Sequence, residues 1–196
     1  MLIETLYKTK LKVIYFNQEE NEIIRLAIEN NRSAQQKIYV KFCSKMLSVC
    51  RLYVKDIHQA EDIMITAFMK VFINLKNFEK KGSFEGWIRR IMVNECISHI
   101  RVRKKVSFIE DENYSEDSFN NIESQISVED IQSLIDGLPD GYKIIFNLYA
   151  IEGYKHQEIA SMLGISEGTS KSQLSHARRT LKEQIVKLKN YSNGTA

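Results

Sequence analysis

HQEIASMLGISEGTSKSQLSHARRTLKEQI, residues 156–185, is the stretch of sequence that decides the fold of this chain. Its first part, Gln157 to Leu163, places apolar residues at the spacing of one helix face. Gly164 follows, where helices commonly end in a left-handed residue, and Ser166 is a good N-cap for a second helix. A short helix, a glycine turn and a longer basic helix predict a helix-turn-helix, which places its second helix in the major groove of DNA.

The second of these helices separates an apolar face from a polar and basic face. The apolar residues recur at spacings of three and four and predict a buried stripe: Leu174, Ala177, Leu181, Ile185 and Leu188. Roughly opposite them lie Ser172, Ser175, His176 and Arg179, flanked by Lys171, Arg178 and Lys182. Such a face suits phosphate oxygens and base edges. The alternative is an ordinary surface helix of a bundle, whose charges are only solvated.

Composition indicates an all-α protein. The chain of 196 residues has one proline and eight glycines, and its apolar runs follow the spacing of helices. The three cysteines, Cys43, Cys50 and Cys96, show no paired spacing and suit a reducing cytoplasm. Cys96 and His99 could share a helix face, but no second pair completes a site, so we expect no metal and no cofactor.

Neither a signal peptide nor a membrane span is expected. The apolar residues of the first stretch are interrupted by charged residues, at Glu4, Lys8, Lys10 and Lys12. No run of about 18 apolar residues occurs, so membrane insertion is not expected.

Charge is distributed in blocks along the chain. Residues 22–105 carry a net charge of +9, residues 106–140 a net charge of −10, and residues 141–196 a net charge of +4. Two basic blocks around an acidic one predict two nucleic-acid-binding units, and the aperiodic acidic stretch Ser107 to Ser127 predicts a flexible linker. We therefore expect an N-terminal extension, a first helical domain, an acidic linker, a helix-turn-helix domain and a tail, over residues 1–21, 22–105, 106–130, 131–190 and 191–196.

The first helical domain contains a helix with two apolar faces. Two helices, Glu22 to Asn31 and Ser33 to Val54, are predicted before it, with a break near Arg32. The third helix then has an unbroken stripe at three-four spacing, from Ala60 to Leu75. Its other face carries an acid and further apolar residues, Asp62, Ile65, Met69 and Ile73. That face is either a docking surface for another protein or a second face buried within its own domain.

A basic loop with neighbouring aromatic residues follows. Lys80, Lys81 and Ser83 lie in this loop, beside Phe84 and Trp87. Positive charge next to aromatic rings suits single-stranded DNA. The alternative is that both rings belong to the core, and for Trp87 the core is the favoured interpretation. The next helix is predicted over Ile88 to Lys105. It places Arg90, Asn94 and Arg101 on one face, and Arg and Asn are well suited to bidentate base contacts.

Together these pieces resemble a bacterial RNA polymerase sigma factor of the extracytoplasmic-function group. Gln59 to Phe72 is similar to the helix that docks on the polymerase clamp helices. Phe84 to Lys105 is similar to the element that melts and reads the minus-ten region, and Leu138 to Ile185 to the domain that reads the minus-thirty-five element. The likeness covers about residues 22–188, LGISEGT is its most specific string, and the C-terminal wording is particularly like factors from Bacteroidetes-type bacteria.

The resemblance implies a role for each matching segment. Core RNA polymerase would meet Asp62, Ile65 and Met69, and an anti-sigma factor is a further expected partner. Minus-ten DNA would contact the loop from Lys80 to Phe84 and the polar face of the helix that follows it. The residues are Lys80, Lys81, Ser83, Phe84, Arg90, Asn94 and Arg101. Minus-thirty-five DNA would meet the second helix of the helix-turn-helix at Thr169, Lys171, Ser172, Gln173, Ser175, His176, Arg178 and Arg179. The acidic linker would thread toward the RNA-exit channel of the polymerase.

The sequence departs from the family pattern at three positions. Ser170 lies on the apolar stripe where an aliphatic residue is usual, and Gln173 and His176 stand where Arg is frequent. The loss of Arg leaves the upstream base preference open. A stand-alone helix-turn-helix regulator would leave Gln59 to Lys105 without a role. A nucleic-acid enzyme is disfavoured because there is no phosphate loop and no nucleophile–base spacing.

Overall fold

The structure is a computed structural model that describes residues 19–103 and 128–192. All regular elements in these two ranges are helical, which confirms the all-α prediction. The first range contains four helices: α1 at residues 19–28, α2 Arg32–Tyr53, α3 Ile57–Asn74 and α4 Phe84–Arg103. The second range contains four more: α5 Val128–Asp136, α6 Asp140–Phe146, α7 His156–Leu163 and α8 Glu167–Ser192.

Local capping explains where the first helices begin and end. The expected break near Arg32 is present, because Asn30 has a left-handed φ of 61° and ends α1. The side-chain oxygen of Asn31 then accepts the backbone N–H of Ala34 at 3.0 Å and starts α2. α4 begins at Phe84, earlier than the expected Ile88, because the hydroxyl oxygen of Ser83 accepts the N–H of Gly86 at 3.0 Å.

The expected acidic linker falls mostly outside the described residues. Ser107 to Ser127 lies there entirely, as do Lys104 and Lys105. Residues 128–130, the last three residues of the expected linker, form the first turn of α5. The predicted extension 1–21 and tail 191–196 are described only at residues 19–21 and 191–192, which are helical.

The described residues form two compact units. The first contains residues 19–50 and 57–95, and the second contains residues 51–56, 96–103 and 128–192. The expected domains differ from these units, because the last turn of α2 and the end of α4 are grouped with the second unit. The domain bounds predicted from charge therefore stay a prediction.

The core of the first unit is built around α3. Its predicted stripe is buried, at Ala60, Ile63, Met64, Ala67, Phe68 and Val71. Aromatic rings extend this core across helices. The rings of Tyr39 and Phe68 pack edge to face at 4.9 Å, and those of Phe42 and Phe84 do so at 5.7 Å. One face of α3 is thus fixed against the interior, whereas residues on its other face are exposed.

The core of the second unit lies between α6 and α8. Leu138, Ala177 and Leu181 form a buried cluster, and Tyr142 and Phe146 pack against it. The predicted stripe of α8 is buried as far as Leu181, whereas Ile185 is only half-buried and Leu188 is exposed. The last turns of α8 therefore extend beyond this core.

Two polar contacts connect residues 51–56 of the second unit to its later helices. Arg51 forms a two-pronged ion pair with Asp136, with nitrogen–oxygen distances of 2.8 Å and 3.3 Å. Asn147 is fully buried at the start of the π-helical turn Asn147–Ile151, and its side-chain amide donates to the carbonyl of Leu52 at 2.7 Å. Burial raises the pKa of Asp136, but the hydrogen bonds and charge of Arg51 outweigh burial, so the net shift is downward.

Candidate nucleic-acid interface

The helix-turn-helix predicted from residues 156–185 is present. Gly164 ends α7 with a left-handed φ of 69°, and its N–H donates to the carbonyl of Ala160 at 2.9 Å. The hydroxyl oxygen of Ser166 accepts the N–H of Thr169 at 2.9 Å, which confirms Ser166 as the N-cap of α8. The turn is therefore defined at both ends by the residues that predicted it.

The face of α8 expected to meet DNA is only partly exposed. Lys171 and Arg179 are exposed, and Ser175, His176 and Arg178 are half-buried. Three further residues were expected on this face but are buried: Thr169, Ser172 and Gln173. The structure corrects their expected exposure.

Hydrogen bonds within α8 account for two of these buried residues. The hydroxyl of Thr169 lies 2.7 Å from the hydroxyl of Ser166, and the hydroxyl of Ser172 donates to the carbonyl of Thr169 at 3.1 Å. Both side chains therefore stabilise the first turns of the helix. Gln173 is only 1% exposed, although it lies away from the centre of the apolar stripe.

Ser170 is buried, and its hydroxyl has a polar partner. Its hydroxyl lies 2.9 Å from the Nδ1 atom of His156, the first residue of α7. The His156 ring in turn stacks on Tyr149 at 4.6 Å, and the guanidinium of Arg178 lies 5.5 Å from the centre of the same tyrosine ring. The serine at this position, where an aliphatic residue is usual, is therefore accommodated by a hydrogen-bonding imidazole, which itself stacks on Tyr149. Neither ring was identified from the sequence.

The environment of His156 favours its neutral form. Burial lowers its pKa most, and the positive charge of Lys171 adds to that effect. Glu167 acts in the opposite direction, and Arg178 lowers the pKa further. The net shift is downward from the ordinary value, so the imidazole joins the two helices without carrying charge at neutral pH.

A second histidine, His176, lies on the face of α8 that was expected to contact DNA. The ring of His176 is nearly parallel to that of Tyr142 from α6, with a centroid distance of 5.5 Å and an interplanar angle of 13°. The guanidinium of Arg179 contacts the Nδ1 atom of His176 at 2.8 Å. His176 is therefore held in place both by a ring of α6 and by the next turn of its own helix.

A cleft of about 410 Å³ opens at the basic loop before α4. Basic and polar side chains line it, among them Lys81, Ser83 and Arg90, and the rings of Phe78 and Trp87 form part of its wall. Lys80 has a left-handed φ of 57°, and the ammonium of Lys81 pairs with the carboxylate of Glu79 at 2.6 Å. Aromatic rings and cations therefore meet in one concave site.

Phe84 does not line this cleft, although it was expected to contact DNA. It is buried beneath the loop, where its ring stacks on Trp87 at 6.0 Å and packs against Phe78 at 5.2 Å. The expectation of a direct contact is wrong for this residue because the hydrophobic core takes its ring. Phe78 and Trp87 line the cleft instead. Sequence reasoning did not consider Phe78 and favoured the core for Trp87, which is half-buried.

The polar face predicted for α4 is exposed. Arg90 and Asn94 lie on it next to each other, and Arg101 is exposed further along the same helix. Lys80, Lys81 and Ser83 are also exposed, although Ser83 uses its hydroxyl oxygen to cap α4. The structure thus brings the loop and the first half of α4 together around the cleft.

The outer face of α3 is an apolar strip open to solvent. Met69 is 61% exposed and Ile73 is 69% exposed, and Ile65 and Asp62 are exposed beside them. Of the two alternatives left open by the sequence, burial of this face within its own domain does not occur among residues 19–103 and 128–192. The residues Asp62, Ile65, Met69 and Ile73 are called the α3 strip from here on.

The described residues also bear on metal and membrane binding. Cys96 is fully buried in α4, and no group of three His, Cys, Asp or Glu side chains that could hold a metal occurs in residues 19–103 and 128–192. None of the helices in the described ranges is long and apolar enough to cross a membrane.

Comparisons with known proteins agree with this geometry. The model "Sigma-70 region 2" matches residues 38–106, and the model "Sigma-70, region 4" matches residues 129–181. RNA polymerase sigma factor SigZ of Bacillus subtilis is 30% identical over 67% of this chain and 76% of its own length. ECF RNA polymerase sigma factor SigW of the same organism is 28% identical over 72% of this chain and 83% of its own length.

A solved structure shares the fold. Sigma factor RpoE from Bartonella quintana, solved in complex with the anti-sigma factor NepR, superposes with a TM-score of 0.50. The match covers 76% of this chain and 95% of that chain at 20% sequence identity. At this level of identity the likeness concerns the fold alone.

Proposed function

Because the chain belongs to the sigma-70 family, in its extracytoplasmic-function group, it is a transcription initiation factor, and we propose how its residues divide that work. As such a factor it binds core RNA polymerase and directs it to promoters. The observation that carries the division of work is the exposed α3 strip within the region 2 match. A regulator that needed only duplex DNA would have no use for this surface, so the stand-alone alternative is not favoured.

The α3 strip is the proposed docking surface for core polymerase. Asp62, Ile65 and Met69 would make the contact, with Ile73 extending it. An exposed apolar strip with an acid at one end fits a partner helix that offers apolar and basic side chains. The buried stripe on the other face of α3 keeps the strip rigid, so docking would require little ordering of side chains.

The cleft before α4 is the proposed site for one base of the minus-ten region. Lys80, Lys81, Arg90 and Arg101 would meet phosphates of the opened strand, and Asn94 would read a base edge. Phe78 and Trp87 offer rings on which an extruded base can stack, and such stacking offsets the cost of taking the base out of the duplex. Phe84 would support these rings from below without touching DNA. Ser83 would act mainly as the helix cap.

The start of α8 is the proposed reader of the minus-thirty-five element. Lys171, Ser175, His176, Arg178 and Arg179 are the accessible residues that would contact DNA. Thr169 and Ser172 would instead hold the first turns of α8 through their hydrogen bonds. Gln173 would contribute only if its side chain turns out of the interior.

The proposal also covers the partners, the place of action and the acidic linker of the chain. An anti-sigma factor would bind this chain, as one binds the similar factor from Bartonella quintana. The chain would act in the cytoplasm, where core polymerase works, and would carry out no catalytic step of its own. The acidic linker would thread toward the RNA-exit channel. The kinship with Bacteroidetes-type factors rests on the wording of the C-terminal segment.

A reconstitution experiment tests this function. The purified chain is added to sigma-free core polymerase with promoter-containing DNA, and specific transcripts are measured. The expected result is a complex with core polymerase and transcripts with defined starts. If the wild-type chain does not bind core polymerase, the proposed function is contradicted. If the double variant Asp62→Ala, Met69→Ala binds core polymerase as tightly as wild type, only the assignment of the α3 strip is contradicted.

A further inference from the structure

His176 stands between an aromatic ring and a guanidinium that together fix its orientation. Tyr142 belongs to α6, packs against the buried cluster of Leu138, Ala177 and Leu181, and presents its ring nearly parallel to the imidazole. Arg179 follows His176 by three residues and contacts the Nδ1 atom at 2.8 Å. The plane of the imidazole is therefore set by the stacking on Tyr142, and the contact with Arg179 identifies the Nδ1 atom as its partner.

The contact with Arg179 determines which ring nitrogen carries the proton. A guanidinium has only N–H donors and no acceptor, so the ring atom that it contacts must accept a hydrogen bond. The Nδ1 atom of His176 is therefore unprotonated. In a neutral imidazole the proton then resides on Nε2, and that atom is a donor.

We propose that His176 reads the minus-thirty-five element through its Nε2–H group, which donates to a base acceptor in the major groove. Arg179 sets the tautomer and Tyr142 sets the plane of the ring, so both are positioning residues. The inference rests on the proposed function, because it takes α8 as the helix that enters the groove. It goes further by assigning a donor atom and a class of base.

A single donor at this place disfavours one base. In the major groove guanine, adenine and thymine each present an acceptor, at N7 or O6, N7 and O4 respectively. Cytosine presents only its amino group there, which is a donor. A donor held opposite a donor is unfavourable, so the Nε2–H group disfavours cytosine at one position of one strand. An arginine at the same place would instead select guanine through two hydrogen bonds.

Selection by the reconstituted polymerase tests the base preference. Core polymerase with the full chain is given duplexes that carry a block of randomised base pairs upstream of a fixed start region, and the bound duplexes are sequenced. Wild-type protein is expected to deplete cytosine by about tenfold at one position. His176→Gln places an amide nitrogen near the position of Nε2 and should keep this depletion. His176→Asn places its amide near Nδ1 instead, and should lose the depletion.

The positioning residues are tested by the same readout. Arg179→Met should weaken the depletion of cytosine at the position that His176→Asn affects, in addition to any uniform loss of affinity. Tyr142→Phe keeps the ring and should behave as wild type, whereas Tyr142→Leu should relax the same position. Uniform loss of affinity with unchanged base frequencies in all these variants would show a structural role only and would overturn the proposal.

A direct measurement of the tautomer keeps the proposal falsifiable even if a variant folds poorly. Long-range proton–nitrogen NMR spectra of the full chain, labelled at histidine, should show an unprotonated Nδ1 and a protonated Nε2 for His176 at mildly alkaline pH. A proton on Nδ1 would overturn the inference. If wild-type polymerase complexes initiate transcription but His176→Asn selects the same bases everywhere, the inference alone fails. If no transcript is made at all, the proposed function fails.

Discussion

The Nδ1 atom of His156 lies 2.9 Å from the hydroxyl oxygen of Ser170, so a polar contact joins the first residue of α7 to the buried side of α8. In this chain the junction contains an ionisable ring, and the ring is stacked on Tyr149. The stability of the helix-turn-helix therefore depends on the protonation of one side chain.

That dependence predicts a loss of stability in mild acid. Burial and the charge of Lys171 lower the pKa of His156, so the unfolded chain takes up the proton first as pH falls. The contribution is complete above the ordinary pKa of 6.5 and is lost as pH drops below it toward the lower folded value. Urea unfolding at a series of pH values should show this slope.

The variant His156→Gln should flatten that slope. His58→Gln, at an exposed position of α3, is the matched control and should leave it unchanged. A wild-type slope in His156→Gln would mean that another group causes the pH dependence.

The α3 strip predicts a selective loss of polymerase binding. Met69→Glu places a charge in the middle of the strip and should weaken binding to core polymerase at least tenfold, since apolar area is lost and a charge must be desolvated. Val40→Glu is the control, because Val40 is 65% exposed on α2, comparable with Met69 at 61%. Both variants should bind duplex promoter DNA like wild type. Similar losses of polymerase binding in the two variants would rule out a localised docking surface.

The exposed amide of Asn94 predicts a defect in promoter opening. Asn94→Ala should reduce the rate of opening by roughly tenfold, because a base-edge contact of this kind contributes about 1–3 kcal/mol. Formation of the closed complex should change little. Permanganate footprinting of unpaired thymines measures opening, and mobility shift measures the closed complex. Asn74→Ala, at an exposed position of α3, should match wild type in both. An unchanged opening rate in Asn94→Ala would refute its role.

The ion pair between Arg51 and Asp136 predicts a large stability difference between two arginine variants. Arg51→Met leaves an almost buried carboxylate without its charged partner, although Gln132 still donates to it, and should cost about 2 kcal/mol of unfolding free energy. The lowered pKa of Asp136 means that this stabilisation is full above the ordinary value of 3.8 and is lost as pH falls through the lower folded value.

The control for this prediction is Arg25→Met. Arg25 pairs with Glu22 and Glu29 at the surface of α1, and its removal should change stability little. Urea unfolding followed by circular dichroism measures both variants. Equal effects of the two substitutions would show that burial of the Arg51–Asp136 pair adds nothing.

Two glycines predict different effects on stability when each is replaced by alanine. Gly164→Ala should destabilise the protein by about 1 kcal/mol, because φ at Gly164 is +69° and a Cβ is strained there even though space is available. Gly82→Ala should be neutral or slightly stabilising, since a Cβ there meets no atom within 4 Å and φ lies outside the left-handed region. Thermal unfolding of both variants is the measurement. Equal loss in both would indicate a packing effect instead.

Much of the fold could be predicted because it depends on local signals. The left-handed Gly164, the cap at Ser166 and the stripe of α3 each follow from residues close together in the sequence. The outward face of α3 could be identified for the same reason. The start of α4 was missed because the cap at Ser83 was taken as part of the loop.

The remaining site details depend on contacts between residues far apart in sequence. Phe84 looked like a base contact beside Lys81, but its ring completes an aromatic core that includes Phe42 from α2. The stack of Tyr142 on His176 and the contact between His156 and Ser170 each join different helices. No spacing rule reports such pairs. The burial of Gln173 likewise depends on the packed structure and not on its position on a helical wheel.

The α3 strip also limits how the protein can be handled. Exposed apolar side chains on two copies of the chain can pair when nothing covers them, so the strip is expected to promote self-association at high protein concentration. The isolated chain is therefore expected to aggregate above a limiting protein concentration, and light scattering should increase before the protein unfolds. Co-expression with a protein that covers the strip should raise this limiting concentration. The yield of soluble chain would then report on binding to the strip in the absence of DNA.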